Sequence, residues 1–263
     1  MGRIVAVANQ KGGVGKTTTS VNLSAALAIA ERRVLLIDAD PQANSTRALG
    51  IEPDPERASL YDAISGEASL SDVALPVDGL PHLALVPGDR DLIGAEVELT
   101  AVEGREFLLK NLLTAIRDKY EHVLIDCPPS LGLMTLNALT AADGVLIPVQ
   151  CEYLALEGIS QLVDTLDRVR QALNPALEID GVVMTMYDDR TNLSRQVVDE
   201  VRNVFGERVY KTVVPRNIRL GEAPSYGKPI FLYDIRSRGA EAYLSLAKEF
   251  VAHEEKGVGQ GAR

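Results

Sequence analysis

Short apolar runs recur along the chain, and a stretch with helical character follows most of them. Residues 4–8, 34–37, 83–86, 122–125, 145–149, 181–186 and 209–214 are rich in Val, Ile and Leu, with apolar side chains at successive rather than alternate positions. Runs of this kind predict strands buried on both faces, as in a parallel sheet covered by helices. Residues 16–30, 105–120, 131–142, 156–173 and 192–205 carry strong helix formers or an apolar period near 3.6. The alternation predicts an α/β fold: a doubly wound, mostly parallel sheet with helices on both faces. Residues 50–104 break the pattern. They are acidic and rich in Pro and Gly, and read as loops and short helices around one strand. The pattern fits one domain over residues 1–253, followed by a flexible polar tail at 254–263.

Composition narrows the class. With 263 residues, 46% of them hydrophobic and 24% charged, the chain has the make-up of a globular protein with a sizeable core. Its two cysteines, Cys127 and Cys151, form no CxxC pair, which argues against a disulfide framework, a zinc ribbon or an iron–sulfur cradle. Cys127 reads as a small packed residue. No apolar stretch reaches the roughly 20 residues of a membrane span, and the N-terminus lacks the pattern of a secretion signal. Met1-Gly2 does not complete a myristoylation motif, because Ala6 stands where Ser or Thr is needed. The net charge of −10 is unevenly spread: residues 1–185 hold 14 Lys+Arg against 26 Asp+Glu, whereas residues 186–240 hold 10 against 7. A basic stretch on an acidic body suits a protein that meets a polyanion on one face.

The chemistry begins after the first strand. Asn9-Gln10-Lys11-Gly12-Gly13-Val14-Gly15-Lys16-Thr17-Thr18 leads from a strand into a helix. Glycines there let backbone N–H groups turn inward around phosphate oxygens, and the helix N-terminus adds its positive end. Lys16 is placed to reach the β- and γ-phosphates, and the Thr17 hydroxyl to ligate Mg²⁺. Gln10 replaces the first Gly of the general GxxxxGK[ST] pattern, and Lys11 adds a second cation. Two further strands end in carboxylates at the edge where ligands bind in such sheets: 34–37 in Asp38-Ala39-Asp40-Pro41-Gln42, and 122–125 in Asp126-Cys127-Pro128-Pro129. An apolar strand closing on Asp126 has the form of a Walker B element, whose carboxylate holds Mg²⁺ directly or through water.

These motifs, KGGVGKTT, DADPQ with Asn44 after it, and the Asp126 strand, resemble the deviant P-loop ATPases of the ParA/MinD group. The resemblance runs from Ile4 to about Phe250. It implies ATP and Mg²⁺ as cofactors, bound by residues 11–18: Lys11, Gly12, Gly13, Val14, Gly15, Lys16, Thr17 and Thr18. It implies that Lys11 crosses a dimer interface to the partner's nucleotide, that Asp40 positions the attacking water, and that Asp38 lies near Mg²⁺ or the loop lysine. Pro215 and Asn217 border the adenine by the same likeness. Two later segments are similar to chromosomal ParA proteins of the Soj subgroup, which makes Arg190, Arg195, Arg202, Arg216, Arg219 and Lys228 the candidate contacts to DNA phosphates. The implied function is a DNA-partitioning ATPase, cytoplasmic and nucleoid-associated. It would form a homodimer with ATP, bind double-stranded DNA without sequence preference, and be released when a ParB-like centromere-binding partner stimulates hydrolysis. The alternative is a MinD-like membrane-associated ATPase, whose final amphipathic helix would be basic. Here 241–253 is amphipathic, but Glu249, Glu254 and Glu255 surround its end, so no membrane partner is expected. A nitrogenase-type reductase lacks its cysteines here. A dethiobiotin synthetase or cobyrinate amidase would leave the arginines near 190 and 219 without a purpose.

Overall fold

The computed structural model describes residues 2–52, 54, 56–153 and 155–260. Eight strands form one sheet: β1 Arg3–Val7, β2 Val34–Asp38, β3 Leu75–Val77, β4 Leu80–Val86, β5 His122–Asp126, β6 Gly144–Gln150, β7 Glu178–Tyr187 and β8 Val209–Pro215. Their order across the sheet is β3-β4-β2-β5-β1-β6-β7-β8, and every pairing is parallel except the β3–β4 hairpin. The helices are α1 Lys16–Ile29, α2 Asn44–Ala48, α3 Leu60–Ser65, α4 Leu70–Val73, α5 Leu92–Glu98, α6 Leu108–Thr114 and α7 Leu133–Ala141. After them come α8 Ala155–Ala172, α9 Asn192–Phe205, α10 Ile218–Glu222, α11 Ile230–Tyr233 and α12 Arg238–Gln260.

The sheet divides the core in two. Ile4 and Ala6 face one apolar cluster with Leu109, Leu139, Leu162 and Val201 from α6 to α9. Val5 and Val7 face the other, with Leu23 and Leu27 of α1 and Tyr243, Leu246 and Phe250 of α12. Successive residues of one strand thus serve opposite layers, which is why the runs are apolar throughout rather than at every second position. Helix α1 is buried over most of its surface, and its Ala, Ser and Thr side chains let it pack closely between the sheet and α12.

All seven expected strands form. β3 is an addition, a three-residue edge strand containing Pro76. The helix expected over 105–120 is broken into a 3₁₀ turn at Arg105–Phe107, α6, and a second 3₁₀ turn at Arg117–Lys119. Leu109, Leu113 and Ile116 nevertheless form a buried stripe. Beyond it Arg117 leaves the helical path to donate to the Gly2 carbonyl at 2.6 Å and to pair with Asp143. Helix α12 runs through residue 254 to Gln260, and Glu254 is engaged by Arg3 and His122. Position 254 therefore belongs to the packed helix instead of a frayed tail; residues 261–263 lie outside the described residues.

Strands β1 and β6 are neighbours, yet the chain leaves β1 toward β2 on one side and leaves β6 toward β7 on the other. Such a reversal opens a crevice at the carboxyl ends of the strands. The loop 9–15 spans it.

Candidate nucleotide site

The loop is pinned before any ligand arrives. Asn9 Nδ2 donates to the Pro148 carbonyl of β6 at 2.8 Å, and Asn9 Oδ1 accepts from Lys11 N at 3.0 Å. Thr185 Oγ1 donates to the Val14 carbonyl at 2.8 Å, fixing the loop to β7. Gly13 and Gly15 adopt φ of 74° and 90°, the left-handed region where a side chain is strained. With the strand, the loop and the head of α1 in sequence, the backbone forms a concave turn ending on a helix N-terminus. Gly12 and Gly13 are exposed, Val14 is buried, and Gly15, Thr17 and Thr18 are half-buried.

Lys16 is only 7% exposed and donates from Nζ to the Lys11 carbonyl at 3.0 Å, curling its chain back over the loop. Burial lowers its pKa, and the neighbouring Asp126 works in the opposite direction. Lys11 forms an ion pair with Glu152 of its own chain, in the turn after β6. Glu152 was not among the sequence candidates, and nothing local to it signals this role.

Asp38 and Asp126 are cross-strand neighbours at the ends of β2 and β5, and both are fully buried. Asp126 Oδ1 accepts from Ser20 Oγ at 2.9 Å and Oδ2 from Ser45 Oγ at 2.8 Å, while the Thr17 hydroxyl adds a further hydrogen bond. Asp38 Oδ2 accepts from Thr46 N at 2.8 Å and Thr46 Oγ1 at 2.7 Å, and Oδ1 accepts from Asp40 N at 3.3 Å. Burial pushes both carboxyls above their ordinary range, and for Asp38 the charge of Asp126 pushes in the same direction. Through Oδ2 Asp38 holds the start of α2, and its Oδ1 has only the longer contact to Asp40 N. Asp40 is 7% exposed, and its Oδ1 accepts from Gln42 N at 2.9 Å, closing the Asp40–Gln42 turn. The turn continues into Ala43, a non-glycine residue held at φ 51°. Ser20, Ser45 and Thr46 escaped the sequence reading. Only Ser20 had a signal, since it lies four residues after Lys16 on the same face of α1.

Thr17 and Asp126 offer hard oxygen donors in mutual contact, the chemistry that Mg²⁺ takes. Among the described residues no group of three or more His, Cys, Asp or Glu could hold a metal alone. One or two protein oxygens at the head of a phosphate loop suit an ion that arrives with its phosphates.

The other candidates follow β7 and β8, with Arg190, Pro215, Arg216 and Asn217 at the same edge and Arg195 and Arg202 on α9, which leads away from it. Pro215 ends β8, and the next amide, Arg216 N, donates to the Tyr187 carbonyl at 2.9 Å. Asn217 is the N-cap of α10, its Oδ1 accepting from Arg219 N at 2.8 Å, which leaves its side-chain NH₂ for another acceptor. Arg190 is 82% exposed and grips Asp188 through both Nε at 2.8 Å and Nη2 at 2.7 Å. This holds the Asp188 carboxyl down, to about 2. Arg219 pairs with Glu222 at 2.8 Å and Asp234 at 3.5 Å. Arg195 and Arg202 are exposed on α9, which buries Val197, Val198 and Val201 on another face; Arg216 and Lys228 are exposed as well. Cys127 is buried, its Sγ 3.7 Å from the Ile125 carbonyl, and burial pushes its thiol up, in keeping with a packing role.

A family model described as AAA domain matches residues 2–179. The sporulation initiation inhibitor protein Soj of Bacillus subtilis is 55% identical over 253 residues, covering 96% of this chain and 100% of that protein. The chromosome partitioning protein ParA of Caulobacter vibrioides is 54% identical over 254 residues, covering 96% and 95%. Among solved structures, the cobyrinic acid a,c-diamide synthase of Mycobacterium smegmatis with bound ADP and magnesium superposes with a TM-score of 0.86. It is 40% identical and covers 98% of this chain and 97% of that one.

Proposed function

This chain belongs to the ParA/Soj family of chromosome-partitioning P-loop ATPases, and from that premise we propose that it is a nucleotide-driven DNA-binding switch. The observation that carries the reading is a phosphate loop with two lysines, Lys11 and Lys16, beside the buried carboxylate of Asp126 and the turn of Asp40.

ATP would lie along residues 11–18, with Lys16 and the amides of the loop on its phosphates and Pro215 and Asn217 beside the base. Thr17 and Asp126 would hold Mg²⁺, which neutralises charge on the β- and γ-phosphates when bound. Asp40 would orient the water that attacks the γ-phosphorus as the bond to the ADP oxygen breaks. Lys11 is held in cis by Glu152. In an ATP-bound homodimer it would exchange that carboxylate for the partner's triphosphate and steady the charge developing in the transition state. Arg190, Arg195, Arg202, Arg216, Arg219 and Lys228 would contact DNA phosphates, and a ParB-like partner would speed hydrolysis and release. Asp38, beside Asp126, would lie near the Mg²⁺ and hold the switch loop through Thr46.

Three observations weigh against the rival readings. On α12 the apolar side chains of Tyr243, Leu246, Ala247 and Phe250 are buried in the core and so are not available to a bilayer. No described helix is long and apolar enough to cross a membrane. Relatives called chromosome partitioning proteins stand at 53% and 54% identity, above the 40% of the synthase.

The test is DNA binding measured with ATP, ADP and no nucleotide across a salt series. Binding that requires ATP, ignores sequence and falls steeply with salt is expected. Charge reversal at Arg190 or Arg219 should weaken it about tenfold while the nucleotide-dependent dimer persists. Equal binding with and without ATP would end the reading.

A further inference from the structure

Helix α2 is held at both ends by unlike things. Ser45 at its head donates to Asp126 and Thr46 to Asp38, so its first turn hangs on the two buried carboxylates of the nucleotide site. No side chain caps its N-terminus, and Ala43 before it sits in the left-handed region. Beyond its tail comes Gly50, at φ 77°, packed backbone to backbone against Gly227 at φ 61°. A Cβ on Gly227 would lie 2.6 Å from Gly50 Cα, and a Cβ on Gly50 would lie 2.9 Å from the Gly227 carbonyl oxygen. Neither neighbour is a flexible side-chain end, so the approach requires two glycines.

Gly227 closes the turn Ala223–Tyr226 and precedes Lys228. That segment is also tied to α1, since Ile230 N donates to Asn22 Oδ1 at 2.8 Å, and Asn22 Nδ2 donates to the Thr18 carbonyl. A cavity of about 300 Å³ lies between them, lined by Thr17, Thr18, Asn44, Arg47 and Lys228. The basic segment and the phosphate loop are therefore neighbours, joined on one side through α1 and on the other through α2.

We propose that Gly50 and Gly227 are positioning residues, a joint through which α2 transmits occupancy of the nucleotide site to residues 223–230 and so to Lys228. A ligand that claims the oxygens of Asp126 takes the acceptor of Ser45. A five-residue helix with no cap of its own then loses one of its two carboxylate anchors and pivots about the other, the Thr46–Asp38 contact. Its tail bears directly on Gly227, and close-packed backbone passes the displacement on without slack. The inference rests on the proposed DNA-binding role for its purpose, but not for its mechanics.

Amide hydrogen exchange on the full chain, with and without ATP and Mg²⁺, tests the joint. In the wild type, nucleotide should protect residues 11–18 and slow exchange in 223–230 by about fivefold or more. Gly227→Ala should keep the protection of 11–18 while the response of 223–230 falls to about twofold or less. Gly66→Ala is the matched control: Gly66 has φ 87°, but a Cβ there meets nothing within 4 Å, so it carries the backbone strain without the clash. It should respond as wild type does. If Gly227→Ala does not fold, Gly50→Ala probes the same contact from the other side. A wild-type response of 223–230 in the folded glycine variants would overturn the proposal, as would a wild type that protects 11–18 and leaves 223–230 unchanged. DNA binding, measured alongside, separates the two ideas. A wild type that shows the exchange response but binds no DNA with ATP refutes the DNA-binding role and leaves the joint standing.

Discussion

The two edges of the sheet use charge in opposite ways. At the amino ends of the strands, Arg3 pairs with Asp180 and Glu254, His122 Nε2 meets Glu254 at 2.9 Å, Arg117 pairs with Asp143, and Arg32 meets Glu121 at 2.9 Å. A cavity of about 730 Å³ opens there, and its lining sets four arginines against four carboxylates. At the carboxyl ends, Asp38, Asp40 and Asp126 gather with serine and threonine hydroxyls, and Lys16 is the cation buried among them. One edge neutralises itself; the other concentrates like charge and leaves it for a cation and a polyanion to balance. Size is thus a poor guide to the site, because the larger cavity belongs to the edge whose charges are already paired.

The contrast can be broken from either side. The largest effect is expected for Lys16→Ala, which removes the buried cation: ATP affinity should fall by about 100-fold or more, as measured by equilibrium titration with a fluorescent nucleotide. Asp40→Ala should lower the hydrolysis rate by about 100-fold while ATP still binds, so that phosphate release and nucleotide affinity part company. At the self-neutralised edge, Glu254→Ala strands His122 and leaves Arg3 with Asp180 alone. Urea unfolding should register a loss of about 1–3 kcal/mol, with turnover of the folded protein unchanged. A drop in turnover at 25 °C would mean that the two edges are coupled. The smallest effect is expected at Ala43, whose left-handed backbone strains the switch. Ala43→Gly should change stability by less than about 1 kcal/mol, with relief of strain offset by added freedom of the unfolded chain, and any larger shift would mark the turn as more constrained than its hydrogen bonds suggest.

The sheet was legible because buried parallel strands are apolar at every position, and seven such runs stand out against polar surroundings. β3 was not, since three residues containing Pro76 carry no periodic signal and pair only at the edge. The break in residues 105–120 also left no trace. No Pro or Gly interrupts the helix between α6 and Arg117, and the helix stops because Arg117 is drawn to Gly2 and Asp143, more than 20 residues away in each direction. At the site, the loop, Asp40 and Asp126 were visible as strand-end motifs. Ser45, Thr46 and Glu152 were not, because their importance lies in what folding brings beside them. The basic residues were located, but not their local partners: Arg190 with Asp188, and Arg219 with Glu222.

The contact between Lys11 and Glu152 bears on how steeply subunits would associate. In a two-fold assembly each protomer gives up the same tether, so its cost is counted twice and enters the association constant as a square. On the proposed scheme a modest intramolecular attachment would thereby weigh twice against association without nucleotide, and triphosphate would have to displace Glu152 on both sides of the axis.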